Sequence, residues 1–119
     1  MRYTFPKSSR LCGQKRIETL YRKGRRFVCW PLRVTYLPIE DETQVLVWAP
    51  KSLFKRATAR NRLRRLMREA YRLNRHSLEG RYMLAFNYID KEQQPYAVVE
   101  KGVRKAIRKL NEERLKTLG

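Results

Sequence analysis

Residues 55 to 72 read KRATARNRLRRLMREAYR, eight positive charges against one glutamate. Apolar residues recur through this stretch at the helical spacing, and arginines fill most of the remaining positions. Such a segment can be ordered only as a helix with one packed face and one charged face. At about 100° per residue, Leu63, Leu66, Met67, Ala70 and Asn74 gather around one centre, and that face is expected to pack on a sheet. Asn61, Arg64, Arg65, Arg68, Arg72 and Arg75 share an arc of roughly 100° on the other side, with Arg62 and Glu69 at one edge and Arg60 at the other. Like charges at i and i+4, such as Arg64 with Arg68 and Arg68 with Arg72, each cost an isolated helix about 0.2–0.5 kcal/mol. Glu69, four residues after Arg65, is the one source of relief on that face. The helix therefore needs the rest of the fold to hold it, and its charged face needs a counter-charge.

Most charge runs are solvated faces, and composition leaves that reading open here. Arginine nevertheless dominates the stripe, and its planar fork suits phosphate oxygens and stacks on bases in a way that a lysine ammonium does not. Asn61 carries both a donor and an acceptor, so it can meet a base edge or a ribose hydroxyl, or brace the chain locally. Over the whole chain, 29 Lys and Arg oppose 11 Asp and Glu, a net charge of +18. Self-repulsion of that size points to a polyanionic partner, with nucleic acid the leading class. Membrane surfaces compete for that role, but no apolar run approaches the roughly 20 residues that span a bilayer. MRYTFPKSSRL lacks the apolar centre of a secretory signal, so a cytoplasmic location is expected. Cys12, Cys29 and the single His76 cannot complete a zinc tetrad, and free structural thiols are the expected state.

At 119 residues the chain is the size of one domain, 1–119, with one economical core. Residues 1–12 read as an extended basic arm. Ile17, Leu20 and Tyr21 define a short amphipathic helix from Gln14 to Lys23, with Gly24 as its stop. Phe27 to Leu37 alternates as a strand with Pro31 at an edge or bulge, and IEDET is the following turn. VLVWA, residues 45 to 49, is a continuous apolar run and is expected to be a central strand buried on both faces. After Pro50 the helical period runs to about Leu73, and RYMLAFNYI, residues 81 to 89, is the next strand. Pro95 opens a last helix whose stripe is Val99, Val103, Ala106, Ile107 and Leu110, weakened by Gly102. Glu40, Asp41, Glu42, Glu69, Glu79, Asp90, Glu92 and Glu100 show no spacing like a two-metal carboxylate site. Without a second histidine or a placed nucleophile, His76 reads as a helix-end contact.

Three stretches together resemble a known family: FPKSSRL at 5 to 11, YRKGRRF at 21 to 27, and ARNRLRRLMREAYRLNRH at 59 to 76. The order RNRxRRxxRE between two strands is similar to the Arg-Asn-Arg signature of the protein subunit of bacterial ribonuclease P. The resemblance implies a single α+β domain of α-β-β-α-β-α type, like the second domain of ribosomal protein S5, with a left-handed βαβ crossover. It also implies a role as the noncatalytic protein subunit of the endoribonuclease P holoenzyme. There a catalytic RNA subunit, using Mg²⁺, removes the 5′ leader of precursor tRNA, and no metal is bound by a ligand cluster of the protein. The implied partners are that RNA and precursor tRNA, with no membrane and no obligate protein partner. By the same resemblance Lys51, Lys55, Arg56, Arg60, Asn61, Arg62, Arg64, Arg65, Arg68 and Arg72 would contact the RNA subunit. Ile17, Tyr21 and Tyr36 would line the leader cleft, with Ile17 standing where the family usually has an aromatic. Ser52 departs too, where many members carry a second lysine. A ribosome-associated protein of related fold and a protein-only nuclease are the competing readings.

Overall fold

The computed structural model describes residues 13–118; the expected N-terminal arm, the FPKSSRL stretch and Cys12 lie outside them. Among the described residues the chain runs through α1 (Gln14–Lys23), β1 (Arg25–Cys29), β2 (Leu32–Pro38), β3 (Gln44–Trp48), α2 (Ala57–Asn74), β4 (Tyr82–Tyr88) and α3 (Tyr96–Leu118), with a 3₁₀ turn at Arg75–Ser77. The four strands form one sheet in the order β1-β2-β4-β3. β1 pairs antiparallel with β2, and β2 antiparallel with β4. β3 pairs parallel with β4, and α2 makes the crossover that parallel neighbours require. The architecture is α+β in a single unit, as expected, with one strand more than the sequence suggests.

That extra strand arises where Phe27 to Leu37 was expected to be continuous. The chain turns at Trp30–Pro31, a cis peptide, and folds back as a β1–β2 hairpin. Proline has no N–H for a ladder, so a turn is the position that costs least, and the Pro31 carbonyl accepts from the Ile89 N–H at 2.9 Å. A second correction concerns VLVWA. It forms β3 at the sheet edge rather than the centre, with Val45 and Val47 buried, Leu46 half-buried and Trp48 48% exposed. The central place goes to β4, where every residue from Tyr82 to Tyr88 except Asn87 is buried. A short apolar run does not distinguish these cases, because an edge strand covered by helices on both faces has the same composition.

Two helices cover one face of the sheet and α1 crosses the other. The larger core joins Val34, Tyr36, Leu84 and Phe86 of the sheet to Leu63, Met67, Ala70 and Tyr71 of α2 and to Val99, Val103, Ala106, Ile107 and Leu110 of α3. The smaller core sets Leu20 of α1 on Met83 and Ala85, with Ile17, Tyr21, Leu37 and Leu46 around them. The packed face of α2 is rotated by roughly 30° from the expected centre. Tyr71, whose ring lies 5.9 Å from that of Phe86, joins it, whereas Leu73 is 39% exposed. Tyrosine carries a large apolar ring, so an aromatic contact with β4 outweighs burial of one leucine. Asn74 closes the helix by donating to the Ala70 carbonyl at 2.7 Å and to Glu100 Oε2 at 3.3 Å, which ties α2 to α3.

Gly24 has a role beyond stopping α1. A Cβ there would lie 2.4 Å from the Leu20 carbonyl oxygen and 2.8 Å from that of Tyr36, both backbone atoms that cannot step aside. Gly24→Ala is therefore expected to cost about 1–3 kcal/mol, read as a lowered midpoint in urea unfolding. Burial pushes the Tyr71 phenol up to about 12, with Arg75 pulling the other way. The unfolded phenol ionises near pH 10 and the folded one does not, so this group's contribution is fully present below about pH 10 and is lost as pH rises toward about 12. Tyr71→Phe should flatten the alkaline fall of stability in that window, measured by unfolding at a series of pH values.

Candidate nucleic-acid interface

Two surfaces carry the residues singled out by sequence. The first begins in the loop after β3, where the Leu53 and Phe54 N–H groups both donate to the Pro50 carbonyl. This loop delays α2 to Ala57 and leaves Lys51, Lys55 and Arg56 exposed beside its first turn. The helix start has no side-chain cap and no acidic residue in its first turn, so its N–H groups and positive end stay available to an anion. Arg60 is half-buried and braces the loop by donating from Nη1 to the Phe54 carbonyl at 2.8 Å and the Lys55 carbonyl at 2.9 Å. Asn61 accepts a hydrogen bond from the Arg64 guanidinium one turn later, which aligns that fork along the helix. Asn61 and Arg65 are exposed, as is Arg62, which also donates to Gln93 Oε1 at 3.3 Å. Arg64, Arg68 and Arg72 are half-buried on its flanks. Glu69 pairs with Arg72 rather than with Arg65, the partner its spacing suggested. Arg65 is thereby left at the centre of an exposed cationic arc.

The second surface lies on the α1 side of the sheet, beyond the residues that α1 covers. Register places Val28, Arg33, Asn87 and Trp48 in one row across all four strands. Val28 is 59% exposed and Arg33 is exposed at the β1–β2 end, while Trp48 presents its indole at the β3 end. Tyr21 leans over the row from α1 and donates its hydroxyl to Asn87 Oδ1 at 3.1 Å. Arg26 caps the same corner by donating to the Tyr21 carbonyl at 2.8 Å. Two aromatic rings, an amide and two guanidinium groups thus border an open strip of sheet. Stacking faces beside cations are what a single-stranded nucleic acid uses.

Of the three residues expected in one cleft, Ile17 and Tyr21 are together and Tyr36 is apart. Tyr36 is 8% exposed on the opposite sheet face, edge-on to Phe27 at 5.7 Å and to Tyr82 at 6.1 Å. Because side chains alternate along β2, its neighbours Arg33, Thr35 and Leu37 face α1 instead. Tyr36 and Tyr82 border a groove of about 820 Å³ at the other end of the sheet, near Arg25 and Arg114. Trp48, Asn87 and Arg33 were missed because each was read only as a strand position. Period-two alternation counted from Tyr21's partner strand would have found Arg33, but Trp48 needs the parallel pairing. His76 is exposed in the 3₁₀ turn after α2. Among the described residues no group of three or more His, Cys, Asp or Glu could hold a metal ion, and no helix is long and apolar enough to cross a membrane.

Comparison with known proteins bears on the family and the fold. The chain is similar to the ribonuclease P protein component of Porphyromonas gingivalis, 38% identical over 112 residues that span 85% of this chain and 82% of the relative. The Xylella fastidiosa protein of the same name is 31% identical over 68 residues, 57% of this chain and 50% of the relative. In fold, the chain superposes on the RNase P protein of Staphylococcus aureus with a TM-score of 0.75 at 15% identity, covering 88% of this chain and 96% of that one. The Thermotoga maritima RNase P protein gives a TM-score of 0.75 at 17% identity, covering 84% and 96%. The family described as Ribonuclease P matches residues 5–111, which include α1, the Arg-Asn-Arg helix and all four strands, and the chain belongs to that family.

Proposed function

We propose that the chain is the RNA-binding protein subunit of ribonuclease P, assisting a catalytic RNA in removing the 5′ leader from precursor tRNA. The observation that carries this reading is the separation of two different surfaces on one small domain. The arginine face of α2 suits the phosphates of a structured RNA, which is bound through shape and charge. The row Val28–Arg33–Asn87–Trp48 beneath Tyr21 suits the single-stranded leader, with Ile17 packed below as part of the floor. Trp48 supplies a second stacking ring where Ile17 offers none. In this reading the protein's own side chains bind and orient, and the +18 charge lowers the repulsion between two polyanions. Mg²⁺ is held by the RNA subunit, whose metal sites fill more readily once the leader is fixed. Lys51, Lys55 and Arg56 extend the RNA-subunit surface around the start of α2, with Arg60 holding their loop in place. Asn61 serves the same surface by holding Arg64.

Reconstitution tests this directly. Precursor tRNA cleavage is measured at low Mg²⁺ with the RNA subunit alone, the protein alone, and the two together. The protein alone should be inactive, and its addition should raise turnover or substrate affinity; no change in either would overturn the reading. Cleavage by protein alone would return the nuclease reading, and selective binding to ribosomal RNA the ribosomal one. Arg65→Ala should weaken RNA-subunit binding and make the plot of log K against log salt shallower by about 0.7–0.9. Tyr21→Ala and Trp48→Ala should each reduce affinity for a precursor with a full leader by about 5- to 100-fold. The loss should vanish when the leader is trimmed to a single nucleotide, whereas Tyr36→Ala should act equally on both substrates, through stability.

A further inference from the structure

Neither surface above uses the outer face of α3 or the turn that joins β1 to β2. Opposite its buried stripe, α3 carries Lys101, Arg104, Lys105, Arg108 and Lys109, all exposed, within an arc of roughly 140°. Glu100, the carboxylate nearest to them in sequence, is turned toward α2, where it accepts from Tyr96 Oη at 3.0 Å and Asn74 Nδ2 at 3.3 Å. Lys109 Nζ sits 4.9 Å from the centre of the Phe27 ring, so the flank of the row runs along β1. Burial pushes the Cys29 thiol of that strand up, and Lys109 and Lys105 are close enough to pull it partly back. β1 and β3 are opposite edges of the sheet, about 14 Å apart, and α2 lies on the β3 side. The α3 cations are therefore a third cationic surface, distinct from the α2 arginines and from the strip beneath Tyr21.

Charge on a helix face is by itself only solvation. What changes the reading is Trp30, 55% exposed at the hairpin turn, next to the start of the row. Asp90, just beyond β4, accepts from the Glu92 N–H and from Gln94 Nε2, both at 3.0 Å, so that carboxylate is already engaged. Gly102 brings the two features together. A Cβ there would lie 3.2 Å from both the Cys29 and Trp30 carbonyl oxygens and 3.3 Å from Pro31 Cδ, so any side chain would push the turn back by a few tenths of an ångström and glycine gives α3 its close approach. Glycine in a helix interior costs about 1 kcal/mol relative to alanine, and the close approach brings the segment of α3 that carries Lys101 and Lys105 against the backbone of the Trp30–Pro31 turn.

We propose that this face binds a further single-stranded RNA segment, with phosphates along Lys101, Lys105 and Lys109 and a base stacked on Trp30. Successive lysines rise about 6 Å along the helix, a pitch that an extended nucleotide backbone can follow. An anionic membrane is disfavoured because interfacial helices insert an apolar face, and that of α3 is consumed in the core. The inference depends on neither the α2 arginines nor the row beneath Tyr21.

The chain has two tryptophans, so Trp48→Phe leaves Trp30 as the sole emitter. Titrating this full-length variant with a single-stranded oligouridylate should quench Trp30 fluorescence. Lys101→Glu with Lys105→Glu in the same background should move the midpoint up by at least about tenfold and make the salt dependence shallower by about 1.4 for two lost contacts. Arg65→Ala should leave the quench unchanged. In the otherwise unaltered chain, Trp30→Ala should weaken binding of a labelled oligouridylate at least about fivefold, and Trp30→Phe should restore most of it. The inference fails if Trp30 emission ignores the oligonucleotide, if the charge reversals leave the quench intact, or if Trp30 responds only to phosphatidylserine vesicles. Loss of precursor tRNA processing with the Trp30 response intact would instead remove the proposed function and leave this face standing.

Discussion

β4 is the reference line for everything the chain presents to solvent. It lies between β2 and β3, pairs antiparallel with one and parallel with the other, and is buried on both faces. Phe86 receives Tyr71 and so fixes the rotation of α2, which decides which arginines are exposed. Ala85 and Met83 on the other face receive Leu20 and so fix where α1 stops covering the sheet. Asn87, its one half-buried residue, stands where that cover ends and accepts from Tyr21. A strand with no freedom of its own thus sets the geometry of two surfaces on opposite sides of the sheet.

A strongly cationic chain must keep its charges apart while folding, and this one does so by giving them separate elements. The arginines of α2 cannot relieve one another, and Glu69 pairs with Arg72 rather than with Arg65. Arg60 is withdrawn to two backbone carbonyls and Arg64 to Asn61, so part of the motif spends its donors on order rather than on a ligand. A contact-by-contact reading of the signature would credit every arginine equally with binding. The geometry divides them: Arg60 and Asn61 make local hydrogen bonds within the protein, whereas Arg62 and Arg65 are exposed. Preorganised forks lose less rotamer freedom on meeting a phosphate, which is where such bracing returns as affinity.

Legibility of the fold followed the range of the interaction involved. The bounds of α1 and all five members of the α3 stripe could be read from spacing, because a helix closes its hydrogen bonds within four residues and its buried face repeats locally. Phe27 to Leu37 reads as one strand in the sequence but is two in the fold, since alternation on either side of Trp30–Pro31 looks the same whether the chain continues or reverses. VLVWA was placed at the centre because an apolar run reports that it is covered, not what covers it. The candidate site was half legible for the same reason. Its charges and Tyr21 could be placed by type and position, while Tyr36 lies on the opposite face of the sheet from Ile17 and Tyr21.

By itself, then, the sequence determined the helices, the charged face of α2 and the packed stripe of α3, a polyanionic partner class and, through RNRxRRxxRE, the family. Tertiary structure alone decided that β3 is an edge, that Trp48 and Arg33 flank Asn87, and that Gly102 brings α3 against the Trp30–Pro31 turn. Helical faces are written in spacings of three and four residues, within reach of local side-chain sterics. Strand order, register and the close approach of a helix to a turn depend on residues tens of positions apart, whose pairing is selected by the packing of the whole core.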